Sequence, residues 1–387
     1  MTAKRIQICI LTLSLFIGTF AVNLQTPMYS IYADQSGVGA TAVTIAFSAY
    51  VAGLIPTLLF LGGLSDLIGR RLPIALSLML GMLATILLVI YPNWISLFTA
   101  RTLLGIGTGL ITTAGTVYMT EIMGRTQSPK AALIVTSATS LGFGSGALIT
   151  SISLKIQGAT LMPASFVFFL IVAGCGVFLM RIMPVSSTRN DVPIIRFPFY
   201  PLNTKIFGLA MSVAWATTGM IIAVIPLALK NIGLGDYNGL IVFLSIFIGF
   251  LCQPIARRLH SHKSIVIGML LTICGFITII IGIFESSIGI IVIGTSMTSS
   301  SSYGFTYLSS LFVFSSRTEK EKARATAGMF IYAYIGFSVP VIACGILADK
   351  YGILSALTVF SFIQALIGAL IISSLKKHDT MEFKSVK

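Results

Sequence analysis

Twelve stretches of roughly twenty mostly apolar residues recur along the chain, and that recurrence narrows the possible folds more than any other feature. They lie near 6–32, 41–62, 73–91, 94–120, 131–154 and 161–183, then near 204–229, 238–256, 264–284, 287–314, 325–348 and 352–375. An α-helix rises about 1.5 Å per residue, so about 20 residues cross the hydrocarbon core of a bilayer. With 56% hydrophobic and only 9% charged residues, no aqueous globule of this length could hide so much apolar surface. The expected solvent for most of the chain is lipid.

Residues 184–203, PVSSTRNDVPIIRFPFYPLN, carry four prolines and mixed charges. They read as a cytoplasmic linker between a six-helix bundle at 1–183 and a second at 204–387 with a short cytoplasmic tail. Six spans followed by six of similar length point to internal duplication, common in transporters. The expected fold class is therefore all-α integral membrane, with twelve transmembrane helices in two pseudo-symmetric six-helix bundles.

Charge placement tests the topology separately. With both termini in the cytoplasm, 21 of the 25 Lys and Arg fall on that side, three (Lys155, Lys230, Lys350) fall outside, and Arg101 alone remains within a span. The positive-inside rule favours this orientation. Scattered over short loops, a net charge of +14 calls for no nucleic-acid partner. Cys9, Cys175, Cys252, Cys274 and Cys344 all lie in apolar stretches without a C-x-x-C pair, and read as small buried hydrophobes. The start, MTAKRIQICILTLSLFIGTFA, opens like a signal peptide, but its apolar run continues past residue 22 and reads as an uncleaved first span. Short loops and compact size suggest a multi-pass plasma-membrane protein of bacterial type.

The loop between spans two and three reads GGLSDLIGRR. Gly62 and Gly69 permit a tight turn, and Asp66 can accept charge-assisted hydrogen bonds. The stretch resembles the loop signature of the major facilitator superfamily, roughly G-x-L-x-D-[RK]-x-G-[RK]-[RK]. Gly62, Leu64, Asp66, Gly69, Arg70 and Arg71 match, while Leu67 stands where a basic residue is usual. The resemblance implies a cytoplasmic gate built from Gly62, Asp66, Gly69, Arg70 and Arg71, with Glu121 and Arg125 from the loop after span four. One salt-bridge network centred on Asp66 is expected. The corresponding loop of the second half, PIARRLHSHK (254–263), keeps basic residues but no acid, so the latch is one-sided.

Arg101 is followed by Gly105, Gly107 and Gly109, a pattern similar to the fourth-span signature of the same superfamily. A central arginine costs roughly 2.5–3.5 kcal/mol on insertion scales, so it demands a reason. The resemblance ties it to substrate or proton coupling, and Asp34 at the outer end of span one is its expected partner. Span five, GFGSGALITS, keeps Gly142 and Gly146 of the drug-antiporter signature but has Ala147 for its proline and Thr150 and Ser151 for its closing glycines. That departure weakens a drug-antiporter reading.

In the superfamily arrangement spans one, four, seven and ten line the path. Asn23 and Tyr29, Thr112 and Thr116, Trp215, and Tyr303 and Tyr307 are the candidate lining residues on those spans. Hydroxyls that bond back to their own helix give the competing account. The resemblance implies a secondary transporter working by alternating access, with proton-coupled efflux of a drug or metabolite as first reading. Import of an anionic or zwitterionic solute held by Arg101 is the alternative. An integral-membrane enzyme or a transport-dead sensor would be a different class. The chain lacks G-x-x-x-x-G-K-[ST], so ATP is not the direct energy source. His260, His262 and His378 lie in loops or the tail without HExxH, so no catalytic residue, metal or cofactor is expected. The expected partners are a small-molecule substrate, protons and the lipid bilayer, acting on a monomer. Membrane-impermeant labelling of single cysteines placed at 70 and 376 should mark both from the same face of the bilayer, and labelling from opposite faces would break the topology.

Overall fold

The computed structural model describes residues 2–185, 195, 197–316 and 319–385, and every regular element among them is helical. The chain divides into two compact units, Met1–Phe197 with Asn238–Phe243, and Pro198–Tyr237 with Leu244–Lys387. The first unit contains α1 (Thr2–Leu24), a 3-10 turn (Thr26–Met28), α2 (Tyr29–Ser36), α3 (Ala40–Phe60) and α4 (Leu64–Ile68). It continues with α5 (Arg71–Ile90), α6 (Trp94–Met123), α7 (Ser128–Gln157) and α8 (Ala164–Ile182). Then follow α9 (Lys205–Ala223), α10 (Ile225–Asn231), α11 (Asn238–Ala256), α12 (Ser261–Phe284) and α13 (Ile288–Ser299). The chain closes with a π-helix (Ser300–Phe305), α14 (Thr306–Ser315), α15 (Glu319–Tyr351) and α16 (Ile353–Ser385).

Among the described residues, 11 helical stretches are long and apolar enough to cross a membrane. The remaining expected span, near 287–314, is present but divided: α13, the six-residue π-helix and α14 run head to tail, and none reaches 18 residues. Large apolar side chains face outward, as lipid requires. Ile156, Phe178, Phe284 and Phe362 are each more than 60% exposed, an arrangement water would penalise.

Prolines account for two further interruptions. Proline has no N–H and its ring crowds the preceding turn. Span one, expected as a single helix, therefore ends at Leu24, tightens into a 3-10 turn containing Pro27 and resumes as α2. Span seven breaks more briefly, α9 ending at Ala223 and α10 beginning at Ile225, just before Pro226. The first span of each half thus breaks at a proline, while Pro56 and Pro254 lie inside their helices.

Lipid tails offer helices no hydrophobic reason to associate, so close packing carries the load. Gly105 and Gly109 are four residues apart and form one face of α6 against α3. A Cβ on Gly105 would meet the Tyr50 carbonyl, and one on Gly109 the Thr57 side chain. Gly107 faces the other way, against Ser77 of α5. On α7, Gly142 and Gly146 lie over the Phe16 and Phe20 carbonyls of α1, so what span five retains of its signature serves helix packing. In the second unit Gly336 of α15 lies on Ser212 of α9, and Gly249 of α11 on Ser299. Gly105→Val should cost at least about 1–3 kcal/mol from overpacking and lower the thermal midpoint in detergent. Gly289→Ala, where nothing lies within 4 Å of the added methyl, should leave the midpoint unchanged or raise it.

Candidate functional site

Three side-chain clusters involve the residues singled out by the sequence. The first surrounds Arg101. Asn93 caps α6 by accepting the Ser96 N–H at 2.9 Å, and the Trp94 indole donates to the Ala42 carbonyl at 2.6 Å, which fixes the start of the helix. Two turns on, Arg101 is 1% exposed. Its Nη1 donates to the Val22 carbonyl at 2.7 Å and its Nη2 to the Phe47 carbonyl at 3.3 Å. The guanidinium carbon lies 5.0 Å from the Phe47 ring centre and 4.8 Å from that of Tyr50. Val22 belongs to the last turn of α1, where the break before Pro27 leaves carbonyls carrying the negative end of the helix dipole. The break therefore creates the acceptor that tolerates the charge, and two ring faces add cation–π attraction. Gln25 Nε2 donates to the same Val22 carbonyl at 3.1 Å.

The expected Asp34–Arg101 pair is not formed. Asp34 sits exposed on α2, and the guanidinium is taken up by carbonyls and rings. The physical reason is that a helix terminus already supplies the opposing partial charge within the same unit. Arg101 Nε is buried without a partner, as is the Tyr29 hydroxyl on the far side of the break. Asn23 reaches α7, its Nδ2 donating to the Phe143 carbonyl at 2.8 Å. Thr112 and Thr116 bond back along α6, to the Thr108 and Thr112 carbonyls at 2.7 and 3.4 Å, so their hydroxyls are occupied by their own helix.

The second cluster lies in the loop after span two. Gly62 is buried beside the start of α4, and Gly69 turns the chain at φ 83° into α5. Arg70 is 5% exposed and forms the hub: Nη2 pairs with Asp66 at 2.6 Å, Nε with Glu121 at 3.2 Å, and Nη1 donates to Ser65 Oγ at 2.7 Å. The network expected around Asp66 is thus centred on Arg70, because a guanidinium offers five donors in a fork and a carboxylate none. Arg71 Nη1 donates to the Arg181 and Met183 carbonyls at 3.1 and 2.7 Å, capping the end of α8. Tyr118 adds a bond to the Pro184 carbonyl at 2.6 Å. The Arg125 side chain lies outside the described residues.

The third cluster lies in the second unit. Trp215 on α9 stands among Tyr303, Phe330, Tyr334 and Phe337, with ring centres 5.7, 6.3, 5.1 and 6.0 Å away. Its indole N–H donates to the Ser302 carbonyl at 3.2 Å. The rest of the π-helix is held by other helices. Gln253 donates to the Tyr303 carbonyl at 3.1 Å, Ser264 to Phe305 at 3.0 Å, and Ser302 Oγ to the Ala214 carbonyl at 2.8 Å. Ser301 shares hydroxyl bonds with Thr272 and Thr306 at 2.7 and 2.9 Å. Tyr307 is half-buried in the first turn of α14 and makes no ring contact with Trp215. Phe330, Tyr334 and Phe337 were not singled out by sequence, although their i, i+4, i+7 spacing marks one face of α15. Among the described residues no group of three His, Cys, Asp or Glu could hold a metal ion.

Arg101→Met should destabilise the detergent-purified protein by about 1–3 kcal/mol, because buried carbonyls lose their donor. Arg101→Lys should recover only part of that, since an ammonium cannot bridge two carbonyls and lie flat between rings. Arg70→Gln should cost more than Glu121→Gln, because it strands two carboxylates instead of one donor. Thermal midpoints of the four variants check both orders.

Comparison with known proteins gives a consistent result. The family model of the Major Facilitator Superfamily matches residues 11–339. An uncharacterized MFS-type transporter of Methanocaldococcus jannaschii is 24% identical over 370 residues, covering 90% of this chain and 92% of that protein. An uncharacterized transporter of Buchnera aphidicola is 27% identical over 189 residues, 48% of this chain and 45% of the relative, so that match spans about half of each. The inner membrane transport protein YnfM of Escherichia coli is 28% identical over 145 residues, 36% of this chain and 35% of its own length. Among solved structures, a bacterial homologue of the human lysosomal transporter Spinster superposes with a TM-score of 0.72 at 13% identity, covering 97% of this chain and 98% of that one. The nucleoside transporter NupG superposes with a TM-score of 0.73 at 11% identity, covering 96% and 99%. With the family match running over most of its length and the fold agreeing from end to end, the chain belongs to the Major Facilitator Superfamily and is a membrane transporter, not an enzyme.

Proposed function

We propose that this transporter exports a small, ring-bearing organic molecule, a drug or a metabolite, in exchange for protons. Its two bundles, 1–183 and 204–387 joined by the linker 184–203, rock as a monomer in the plasma membrane with both termini in the cytoplasm. The observation that carries the cargo class is the Trp215 cluster, five aromatic rings gathered on the seventh, tenth and eleventh spans. Aromatic walls with few polar groups suit an amphipathic ligand and give little hold on a strongly charged one. The engagement of both Arg101 terminal nitrogens by carbonyls supports the same choice, because it leaves the guanidinium poorly placed to clamp a carboxylate. The Arg70 hub supports a cytoplasmic latch, a set of charge-assisted bonds that breaks and reforms once per cycle. Asp34, exposed beside the outer end of span one, is the proposed proton carrier.

One observation favours the second reading. Arg101 Nε is buried with no acceptor, and an anionic or zwitterionic solute could supply one. Flux in proteoliposomes separates the two. An imposed pH gradient should drive fluorescent aromatic cargo against its own gradient, and collapsing it should stop transport. Trp215→Ala should lower that flux at least about tenfold, the worth of roughly one aromatic anchor. Asp34→Asn should flatten the pH dependence. Gradient-independent uptake of carboxylates, lost in Arg101→Lys, would establish the importer instead.

A further inference from the structure

The loop between α3 and α5 neutralises its own charge, with Arg70 set between Asp66 and Glu121, but the corresponding turn between α11 and α12 does not. That turn carries Arg257, Arg258 and Lys263, and no Asp or Glu occurs anywhere from 237 to 284. All three cations are exposed. Among the described residues none of the three forms an ion pair or a side-chain hydrogen bond. The turn itself is well tied. The Arg257 and Arg258 N–H groups donate to the Gln253 and Ile255 carbonyls at 3.0 and 3.1 Å, and the Ser264 N–H donates to the His260 carbonyl at 3.0 Å. The His262 ring lies 5.6 Å from that of Phe207 on α9, and the Ser264 hydroxyl donates to the Phe305 carbonyl at 3.0 Å. Three uncompensated cations are therefore presented on an ordered backbone.

The apolar residues beside these charges say which anion fits. On α11 Leu251 and Ile255 are exposed, and Arg258 continues their row past the end of the helix. On α12 Lys263, Ile267 and Leu270 are exposed at i, i+4 and i+7, a second row on one helix face. In a chain embedded in lipid, such rows are surfaces for acyl chains, and a cation at the end of each row stands at headgroup depth. Topology alone asks for basic residues near the end of a span, and does not ask them to line up with its lipid-facing side. A guanidinium fork suits the oxygens of a phosphate, and an ammonium adds a second point charge. A zwitterionic headgroup brings its own cation and leaves this charge uncompensated. A soluble phosphate ester would meet the cations but leave both apolar rows unused. An anionic phospholipid uses all of these features together.

We propose that the α11–α12 turn is a docking site for an anionic phospholipid, its phosphate between Arg258 and Lys263 and its acyl chains along the Leu251–Ile255 and Ile267–Leu270 rows. The site is independent of the aromatic cluster and of the transport direction assigned above. The test uses the full chain in proteoliposomes with two photoreactive lipids, phosphatidylglycerol and phosphatidylcholine carrying the same diazirine acyl chain, and maps adducts by peptide mass spectrometry. At equal mole fraction the anionic lipid should label residues 251–270 about tenfold more than the zwitterionic one, as two surface cations are worth. The exposed residues Leu83, Ile86 and Ile90 of α5, which end on no basic side chain, should be labelled equally by both. Arg258→Gln combined with Lys263→Gln should bring the ratio at 251–270 to that of α5. Equal labelling by the two lipids at 251–270 would overturn the site, and a preference that survives in the double variant would overturn the two residues named. Full competition by soluble glycerophosphoglycerol would assign the site to a free phosphate ester and overturn the lipid. The lipid comparison and the competition use the unaltered chain, so they stand even if the variant fails to fold.

Discussion

A backbone carbonyl in hydrocarbon has no water to turn to, and the organisation of this transporter follows from that constraint. An unbroken helix meets it by itself. Each interruption exposes acceptors that a neighbour must serve. At the end of α1 the donor is Arg101, joined by Gln25. Along the π-helix the donors are Trp215, Gln253 and Ser264, from three different helices. The interruptions are thus the places where distant parts of a unit are tied together, and the residues with unusual chemistry cluster there for that reason.

The two units meet the same problem with different chemistry. Both break their first span at a proline, and both bring helices together through glycines laid over a neighbour's backbone. The first unit uses a permanent cation held between two rings, the second a neutral indole and a run of serines. The acceptors of the π-helix lie in the middle of a span, where no helix end offers a counter-dipole, and neutral donors serve them.

Much of this was legible in the residues. Apolar run lengths located the spans, because bilayer thickness sets helix length directly. Loop and span signatures identified the superfamily from about ten residues. The break at Pro27 follows from a local property, a missing N–H, that a proline in an apolar run carries in plain sight. What pairing would follow was not legible. Arg70 meets Glu121 across 51 positions, and Arg101 meets Val22 across 79, separations over which only tertiary packing decides. Asp34 was the obvious partner by charge, yet a carbonyl terminus outcompeted it, and carbonyls leave no mark in a sequence. On span ten only Tyr303 and Tyr307 drew attention in the sequence. The serines beside them fasten the π-helix, and no periodicity rule anticipates a change in helical pitch.

That change of pitch has a consequence for how span ten can vary. A π turn accommodates one residue more than the α ladder around it, so it works as an absorbed insertion. Removing any one serine from the run Ser299–Ser302 would let the helix close up in ordinary register. A π turn with one residue more sweeps nearly the same angle as the α turn that would replace it, so everything beyond would keep its facing. Ser310 would still reach the Phe207 carbonyl, while the widened turn that meets Trp215, Gln253 and Ser264 would be lost. The extra residue in the serine run sets the width of this turn and leaves the direction of the rest of the helix unchanged.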